Sequence, residues 1–437
     1  MMKSTHDPEH AALLVRWLER GRAWLDELQT PGGLHASSAA DQYPALYGRD
    51  TLWSILLVLE AARLRPGDSA LANWAAAFAA HGLQALASTQ GTTERDENEE
   101  QPGKIIHEYW PEPRRWLASE WPLWEGRYYG SVDATYLFLI TAATVWQQVE
   151  GGRQVIERLW PHVMAALDWT LKYGDVDGDG LVEVLPRQPR GLGLRNQVWK
   201  DSNDALLLED GAPPSPPVAW VELQGYALAA FREIRPLLQE AGGETALLRE
   251  LEERMERLRR GLPRFWLPGE GCPAMALSPE KQAIPLVASN MGHLLWCAAL
   301  EEPYASRTAE RLLQPDLLTP WGIRTLSRSS YAFDPYSYHR GTVWPFDNAI
   351  IASALWRMGR RDQARLLSQR LLEAIALFDS PVELYCVLPP EWILTPTTGG
   401  AEALAVYTRA CKIQAWTAAA LMLAAAQLLS EASRAES

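Results

Sequence analysis

Several polar motifs set acids beside aromatic rings. Tyr47-Gly48-Arg49-Asp50-Thr51 puts a guanidinium next to a carboxylate at a predicted helix start. Such a pair could hold adjacent sugar hydroxyls, the Arg donating and the Asp accepting; an ordinary helix cap is the competing account. Tyr128-Tyr129-Gly130-Ser131-Val132-Asp133-Ala134-Thr135 opens another helix, with Asp133 as a dipole-favoured cap or as a further pocket acid. Asp201 stands in a loop beside Trp199 in Trp199-Lys200-Asp201-Ser202. An aromatic neighbour that partly desolvates a carboxyl raises its pKa, as a general acid near neutral pH requires. Asp204 could equally fill this place. Pro381-Val382-Glu383-Leu384-Tyr385-Cys386 supplies another loop acid, with Glu391 and Glu402 as rivals.

Other chemistries find less support. His107 and Glu108 adjoin in Gly103-Lys104-Ile105-Ile106-His107-Glu108-Tyr109-Trp110, but no second His follows at zinc spacing, so substrate contact or loop anchoring is expected. His339, in Tyr336-Ser337-Tyr338-His339-Arg340-Gly341-Thr342-Val343-Trp344-Pro345, is a lone histidine, and no G-x-S-x-G elbow occurs. Phosphate-cradling glycine loops are absent. Asp175-Val176-Asp177-Gly178-Asp179-Gly180 resembles the start of a calcium loop, but the twelfth position is Pro186, where such a loop needs a bidentate Glu. A pair of Gly-rich turns is the preferred reading, and no metal or organic cofactor is expected.

The elements that must position these groups are helical. Apolar periodicity marks twelve segments, near 9–29, 50–65, 69–90, 132–149, 153–172, 217–237, 243–266, 290–300, 304–315, 343–358, 361–378 and 412–432. Odd segments are amphipathic. Even ones are apolar nearly all round, as helices buried on every side must be. Two concentric rings satisfy this alternation, which predicts an all-α (α/α)6 toroid. Long linkers at 30–49, 91–131, 173–216, 316–342 and 379–411 run from odd to even segments. They hold the motifs above and place them at one end of the ring, at the N-termini of the inner helices. One catalytic domain over 1–437 is the simplest organisation.

Composition narrows the partners. The chain has 437 residues and a net charge of -13, which argues against nucleic acid and an anionic membrane surface. Met1–His10 lacks a signal-peptide core, and Ala418–Leu429 is too short to span a bilayer. The four cysteines form no CxxC pair, which suits a reducing cytoplasm. Trp is over-represented, with 20 residues against 7 Phe. Trp53, Trp199, Trp344 and Trp416 lie in or beside the motifs, where a sugar-stacking platform is expected. Trp17, Trp24 and Trp356 lie in helices as packing.

Taken in order, eight motifs resemble the amylo-alpha-1,6-glucosidase region of glycogen debranching enzymes and their glucoamylase-like relatives. They are Tyr47 to Thr51, Pro102 to Glu108, Tyr129 to Thr135, Trp199 to Ser202, Glu222-Leu223-Gln224-Gly225-Tyr226, Ser289-Asn290-Met291-Gly292-His293-Leu294, Tyr338 to Pro345 and Gln414-Ala415-Trp416. The resemblance implies an (α/α)6 barrel and an inverting, exo-acting α-glycosidase releasing glucose from an α-glucoside or short α-glucan. It implies Asp201 as general acid and Glu383 as general base, since Pro381 to Cys386 is similar to the family's Pro-Glu-Leu-Phe-Cys-Gly. Leu388-Pro389-Pro390-Glu391 also resembles the family pattern. Arg49 and Asp50 would grip the terminal sugar. Tyr47, Trp53, His107, Glu108, Asp133, Trp199, Lys200, Glu222, Gln224, His339, Trp344 and Trp416 complete the expected substrate-binding set.

The sequence departs from that pattern in three places. The barrel starts almost at Met1, Val387 follows Cys386 where the family has Gly, and Lys412-Ile413 precedes Gln414 where it has Ser-Pro. The reaction class stands, but the substrate opens to a compact compatible-solute glycoside such as a glycosylglycerate. An inverting phosphorylase is the other enzymatic alternative. The partner expected is a small carbohydrate.

Overall fold

Burial separates the helices into two kinds, as the apolar patterning requires. The structure is a computed structural model that describes residues 8–112, 124–393 and 401–432. Its twelve described helices are α1 (Pro8–Leu28), α2 (Gly48–Arg63), α3 (Ser69–Ser88), α4 (Asp133–Gln148), α5 (Gly152–Tyr173), α6 (Val221–Glu240), α7 (Thr245–Gly261), α8 (Met291–Trp296), α9 (Tyr304–Leu312), α10 (Pro345–Arg357), α11 (Arg361–Phe378) and α12 (Ala415–Ala432). In α2 every residue from Gly48 to Ala61 is buried. In α7 only Leu251, Met255, Leu258 and Gly261 are, a single stripe at helical spacing.

The even-numbered helices pack in cyclic order: α2 on α4, α4 on α6, α6 on α8, α8 on α10, α10 on α12, and α12 back on α2. Each odd-numbered helix leans on this set from outside: α1 on α12, α3 on α2, α5 on α4, α7 on α6, α9 on α8 and α11 on α10. The segment expected as a helix over 290–300 is only Met291–Trp296, because the chain turns out of it with Ala298 in the left-handed region (φ 48°). No described helix is long and apolar enough to cross a membrane.

Links from even to odd helices are short turns. The links into α2, α4, α6, α10 and α12 are long, as expected, and so is 262–290 before α8. Parts of two of them, 113–123 and 394–400, lie outside the described residues, as does most of the polar Met1–His10 stretch.

Small antiparallel ladders bind these long links together. Leu46–Tyr47, Glu108–Tyr109 and Arg127–Tyr128 form a three-stranded sheet, which joins the approaches to α2 and α4. Tyr385–Leu388 pairs with Ala403–Val406, and a bridge between Val343 and Tyr385 ties that hairpin to the start of α10. The Val132 N–H donates to the Gln197 carbonyl at 2.9 Å, joining the start of α4 to the Trp199–Ser202 segment.

Gly48 makes one of these approaches possible. Its N–H donates to His107 O at 3.0 Å, and a Cβ there would lie 2.1 Å from the Ile106 carbonyl oxygen. Gly48→Ala must push residues 105–108 away from α2. An overpacked backbone contact of this kind costs about 1–3 kcal/mol. A lowered Tm in thermal unfolding is expected; an unchanged Tm would mean that the segment yields freely.

Candidate active site

Carboxyls converge where α2, α4 and the long links meet. Arg49, in the first turn of α2, lies at their centre, with its side chain 3% exposed. Its Nε donates to Asp133 Oδ2 at 2.6 Å, its Nη2 to Asp133 Oδ1 at 3.3 Å and its Nη1 to Asp201 Oδ2 at 3.3 Å. The Ser131 hydroxyl holds Asp133 from behind at 2.6 Å. Asp50 accepts from Gln414 Nε2 at 3.0 Å, a contact between α2 and the residue before α12.

Asp201 is the open member of the group, with 26% of its side chain exposed. Burial raises its pKa to about 6, although the Arg49 charge pulls the other way. Glu383 is buried. Its Oε1 accepts from the Tyr338 hydroxyl and its Oε2 from the Cys411 N–H at 3.0 Å. Burial raises it to about 8; the Tyr338 and Cys411 hydrogen bonds oppose that rise, while the charges of Asp50 and Asp201 add to it. Burial also lifts Asp50 to about 7. The Tyr43 hydroxyl bonds with Tyr338 and feels both Glu383 and Asp201, so the two carboxyls share one electrostatic neighbourhood.

The rival acids are engaged elsewhere. Glu391 sits on a short turn, its side chain 53% exposed and paired with Arg328 at 3.0 Å. Glu402 pairs with Arg324, and Asp204 with Arg340 Nε at 3.1 Å and the Ser337 hydroxyl at 3.1 Å.

The arrangement is one partly exposed carboxyl and one buried carboxyl in a shared electrostatic neighbourhood, with tyrosine and arginine donors. The profile of the mannosylglycerate hydrolase MGH1-like glycoside hydrolase domain matches residues 69–381. The chain belongs to this family. It is a glycoside hydrolase.

Solved structures carry the same fold as this MGH1-like chain. The GH63 mannosylglycerate hydrolase from Thermus thermophilus in complex with Tris and D-glycerate matches with a TM-score of 0.67 and 15% identity, over 93% of this chain and 99% of that one. The same enzyme in complex with glucose matches with a TM-score of 0.63 and 16% identity over the same shares. A wild-type glycosidase matches with a TM-score of 0.58 and 14% identity, over 97% of this chain and 98% of the other. No curated protein sequence matches. The resemblance to amylo-alpha-1,6-glucosidases is thus replaced by membership of the MGH1-like family, and the debranching identity gains no support.

Several expected contacts are placed differently in this hydrolase. Arg49 and Asp50, expected to grip the terminal sugar together, meet different partners: Arg49 donates to Asp133 and Asp201, and Asp50 accepts from Gln414. Neither acid is a helix cap, since the residues at both cap positions, Tyr47 and Val132, make no side-chain capping bond. Tyr47 and the Trp110 indole both donate to Glu108 Oε2, at 2.5 and 2.8 Å. His107 lies edge-on to Tyr47 and Tyr128, and its Nδ1 has no partner among the described residues. Burial holds that imidazole neutral, well below its usual pKa.

The expected tryptophan platform is instead a packed floor. Trp53, Trp199, Trp344 and Trp416 are all buried. Trp199 stacks on His293 at 5.8 Å, Trp344 on His339 at 5.0 Å and Trp416 on Phe346 at 3.8 Å, while Trp53 meets Trp296 edge-on at 4.9 Å. Their faces are used inside the protein. Lys200, Glu222 and Gln224 are also buried. Lys200 Nζ donates to Thr325 O at 2.6 Å, and Glu222 accepts from Asn290 at 2.9 Å. Gln224 spends its amide donors on Val182 O and Trp220 O, at 2.8 and 2.9 Å. These groups hold the acid-bearing links in place. His339 does so through Ser202, whose hydroxyl is 2.9 Å from its Nδ1.

Sequence reasoning passed over Tyr338 and Gln414, although both lie inside quoted motifs, and over Tyr43, which no motif marks. Tyr338→Phe removes a hydrogen bond that lowers the Glu383 pKa. The expected result is an alkaline limb of the pH–rate profile moved to higher pH, an acid limb left in place and kcat reduced about tenfold or more. A uniform fall in rate without a shift would leave Tyr338 a packing residue.

Proposed function

We propose that this hydrolase inverts the anomeric centre of a small α-glycoside whose aglycone is glycerate, on a single (α/α)6 toroidal domain. The cyclic packing of the even-numbered helices supports the toroid. Family membership and the relative that holds D-glycerate support a glycosylglycerate over the broader expectation of an α-glucan. The carrying observation is the unlike pair of neighbouring carboxyls, Asp201 partly exposed and Glu383 buried and held by Tyr338 and the Cys411 N–H.

Asp201 is the general acid and Glu383 the general base. Asp201 gives its proton to the glycosidic oxygen as the C1–O bond breaks. Glu383 takes a proton from water as that water's oxygen bonds to C1 on the opposite face. Inversion needs the two carboxyls about 6.5–9.5 Å apart, with the water between. Arg49, Asp50, Glu108 and His107 are the groups that meet sugar hydroxyls in this reading. A phosphorylase would replace the base with a basic phosphate pocket, and Glu383 speaks against it. The relative in complex with glucose keeps a gluco-configured glycone as a second reading beside mannose.

Between pH of about 6 and about 8 the pair carries one proton, the number that inversion uses. Hydrolysis draws on the tautomer with Asp201 protonated and Glu383 ionised. A glycerate carboxylate arriving beside Asp201 favours that tautomer, because a nearby negative charge raises the Asp201 pKa. An anionic aglycone therefore helps to prime its own cleavage.

Hydrolysis should follow a bell-shaped pH profile. Below about 6 both carboxyls are protonated and no base remains; above about 8 neither can donate. The limbs report the pair and not either residue alone. A maximum of kcat/KM outside this window would refute the pairing.

Product release from mannosylglycerate, glucosylglycerate, plain α-mannosides and α-glucosides, followed by NMR, tests the reaction. Glycosylglycerates should be cleaved fastest, with the β-anomer appearing first. An initial α-anomer would exclude inversion, and a preference for neutral glucosides would exclude the glycerate aglycone. Asp201→Asn and Glu383→Gln should each lower kcat by about 10²–10⁴-fold with the fold retained. Glu391→Gln should stay active; the reverse outcome would move the base to Glu391.

A further inference from the structure

Basic side chains gather at the far end of the helix cycle, although the chain carries a net charge of -13. Three even-numbered helices finish there: Arg63 closes α2, Trp356 lies in the last turn of α10 and Ser430 in that of α12. With Arg65, Asp68 and Arg361 they line a cleft of about 850 Å³. Along α2, Arg63 stands roughly 20 Å from Arg49. The cleft is therefore separate from the links that carry the acids.

Three guanidiniums in this cleft are uncommitted. Arg63, Arg65 and Arg361 make no ion pair among the described residues, and Arg65 Nε is buried without a hydrogen-bond partner there. Neighbouring arginines are engaged: Arg357 pairs with Glu60, and Arg360 with Glu310 at 3.2 Å. The acid in the lining, Asp68, caps α3 by accepting from the Leu71 N–H at 2.9 Å. A last-turn Arg63 suits the dipole of α2, but Arg361 opens α11, where a cation opposes the dipole. Its guanidinium lies over the Trp356 ring, 4.5 Å from the centroid, which fixes it at the cleft wall. Helix α3 begins beside this group, and the N–H groups of Ser69 and Ala70 in its first turn have no partner among the described residues.

We propose that this cleft binds a phosphate dianion, as free phosphate or as the phosphate group of a small metabolite. Guanidinium forks match phosphate oxygens in bidentate geometry, and the first-turn N–H groups of a helix favour the same charge. Three guanidiniums against one carboxylate leave the lining positive enough for a doubly charged ligand. The volume falls in the range of small-molecule sites, so an organic group can sit beside the phosphate.

Calorimetric titration of the whole protein at constant ionic strength tests this, with inorganic phosphate in one arm, glycerol 3-phosphate in another and chloride as control. Both phosphates should bind and chloride should not. Tighter binding of glycerol 3-phosphate assigns the site to a monoester; equal or weaker binding assigns it to free phosphate. Arg65→Met and Arg361→Met should each weaken binding about tenfold or more, the loss of one charge-assisted contact. Arg65→Lys should weaken it less than Arg65→Met. Arg361→Met serves alone if Arg65→Met does not fold. Glycoside hydrolysis without phosphate should be unchanged in these variants, so the result stands apart from the test of the reaction. No phosphate binding by the wild type, or binding left intact in both Met variants, would overturn the proposal; so would an equal response to chloride.

Discussion

The site depends on the buried guanidinium of Arg49. It joins the start of α2 to the start of α4 through Asp133, and both to the Trp199–Ser202 segment through Asp201. A charge so deeply placed is tolerable only when it is paired and hydrogen-bonded, and loss of one partner of a buried pair costs about 3–5 kcal/mol. The planar fork suits this work, since it donates to two carboxylates from fixed directions. The surrounding details serve the same contact. Gly48 lets residues 105–108 lie close to α2, Ser131 fixes Asp133, and the Val132–Gln197 bond holds the loop at the right height.

Burial is also what tunes the acids. Asp201 and Glu383 are raised by the same cause to different extents, because Arg49 restrains one while the other stands in a drier place. The buried tryptophans pack around the links that carry these acids. Their rings stack on His293, His339 and Phe346 and so stiffen those links. The tryptophan excess thus reports chiefly on how this rigidity is achieved.

The alternation of helices was legible because burial on one face or on all faces writes itself into the apolar pattern. The twelve segments appear near their expected places, α8 shorter than its pattern, and the motif-bearing links gather as the alternation requires. Asp201 and Glu383 were singled out over their rivals through motif resemblance, since one loop acid looks like another until its partners are known. The partners were not legible. Gln414 meets Asp50 across 364 positions of sequence, and Lys281 meets Glu183 across 98. Tyr338 was hidden behind its neighbour His339, the residue type that more readily suggests catalysis. The tryptophans misled because exposure cannot be read from residue type.

Closure of the helix cycle falls to α12, which packs against both α1 and α2. The residues just before it, Cys411 and Gln414, hold Glu383 and Asp50. Domains form as units while the chain emerges during synthesis. In this protein the Arg49 cluster can assemble from earlier segments, but the other half of the cleft must wait for α12 to dock. With the acid–base roles proposed above, a helix cycle left open at that seam is expected to be inert, and activity would double as a report that the cycle has closed.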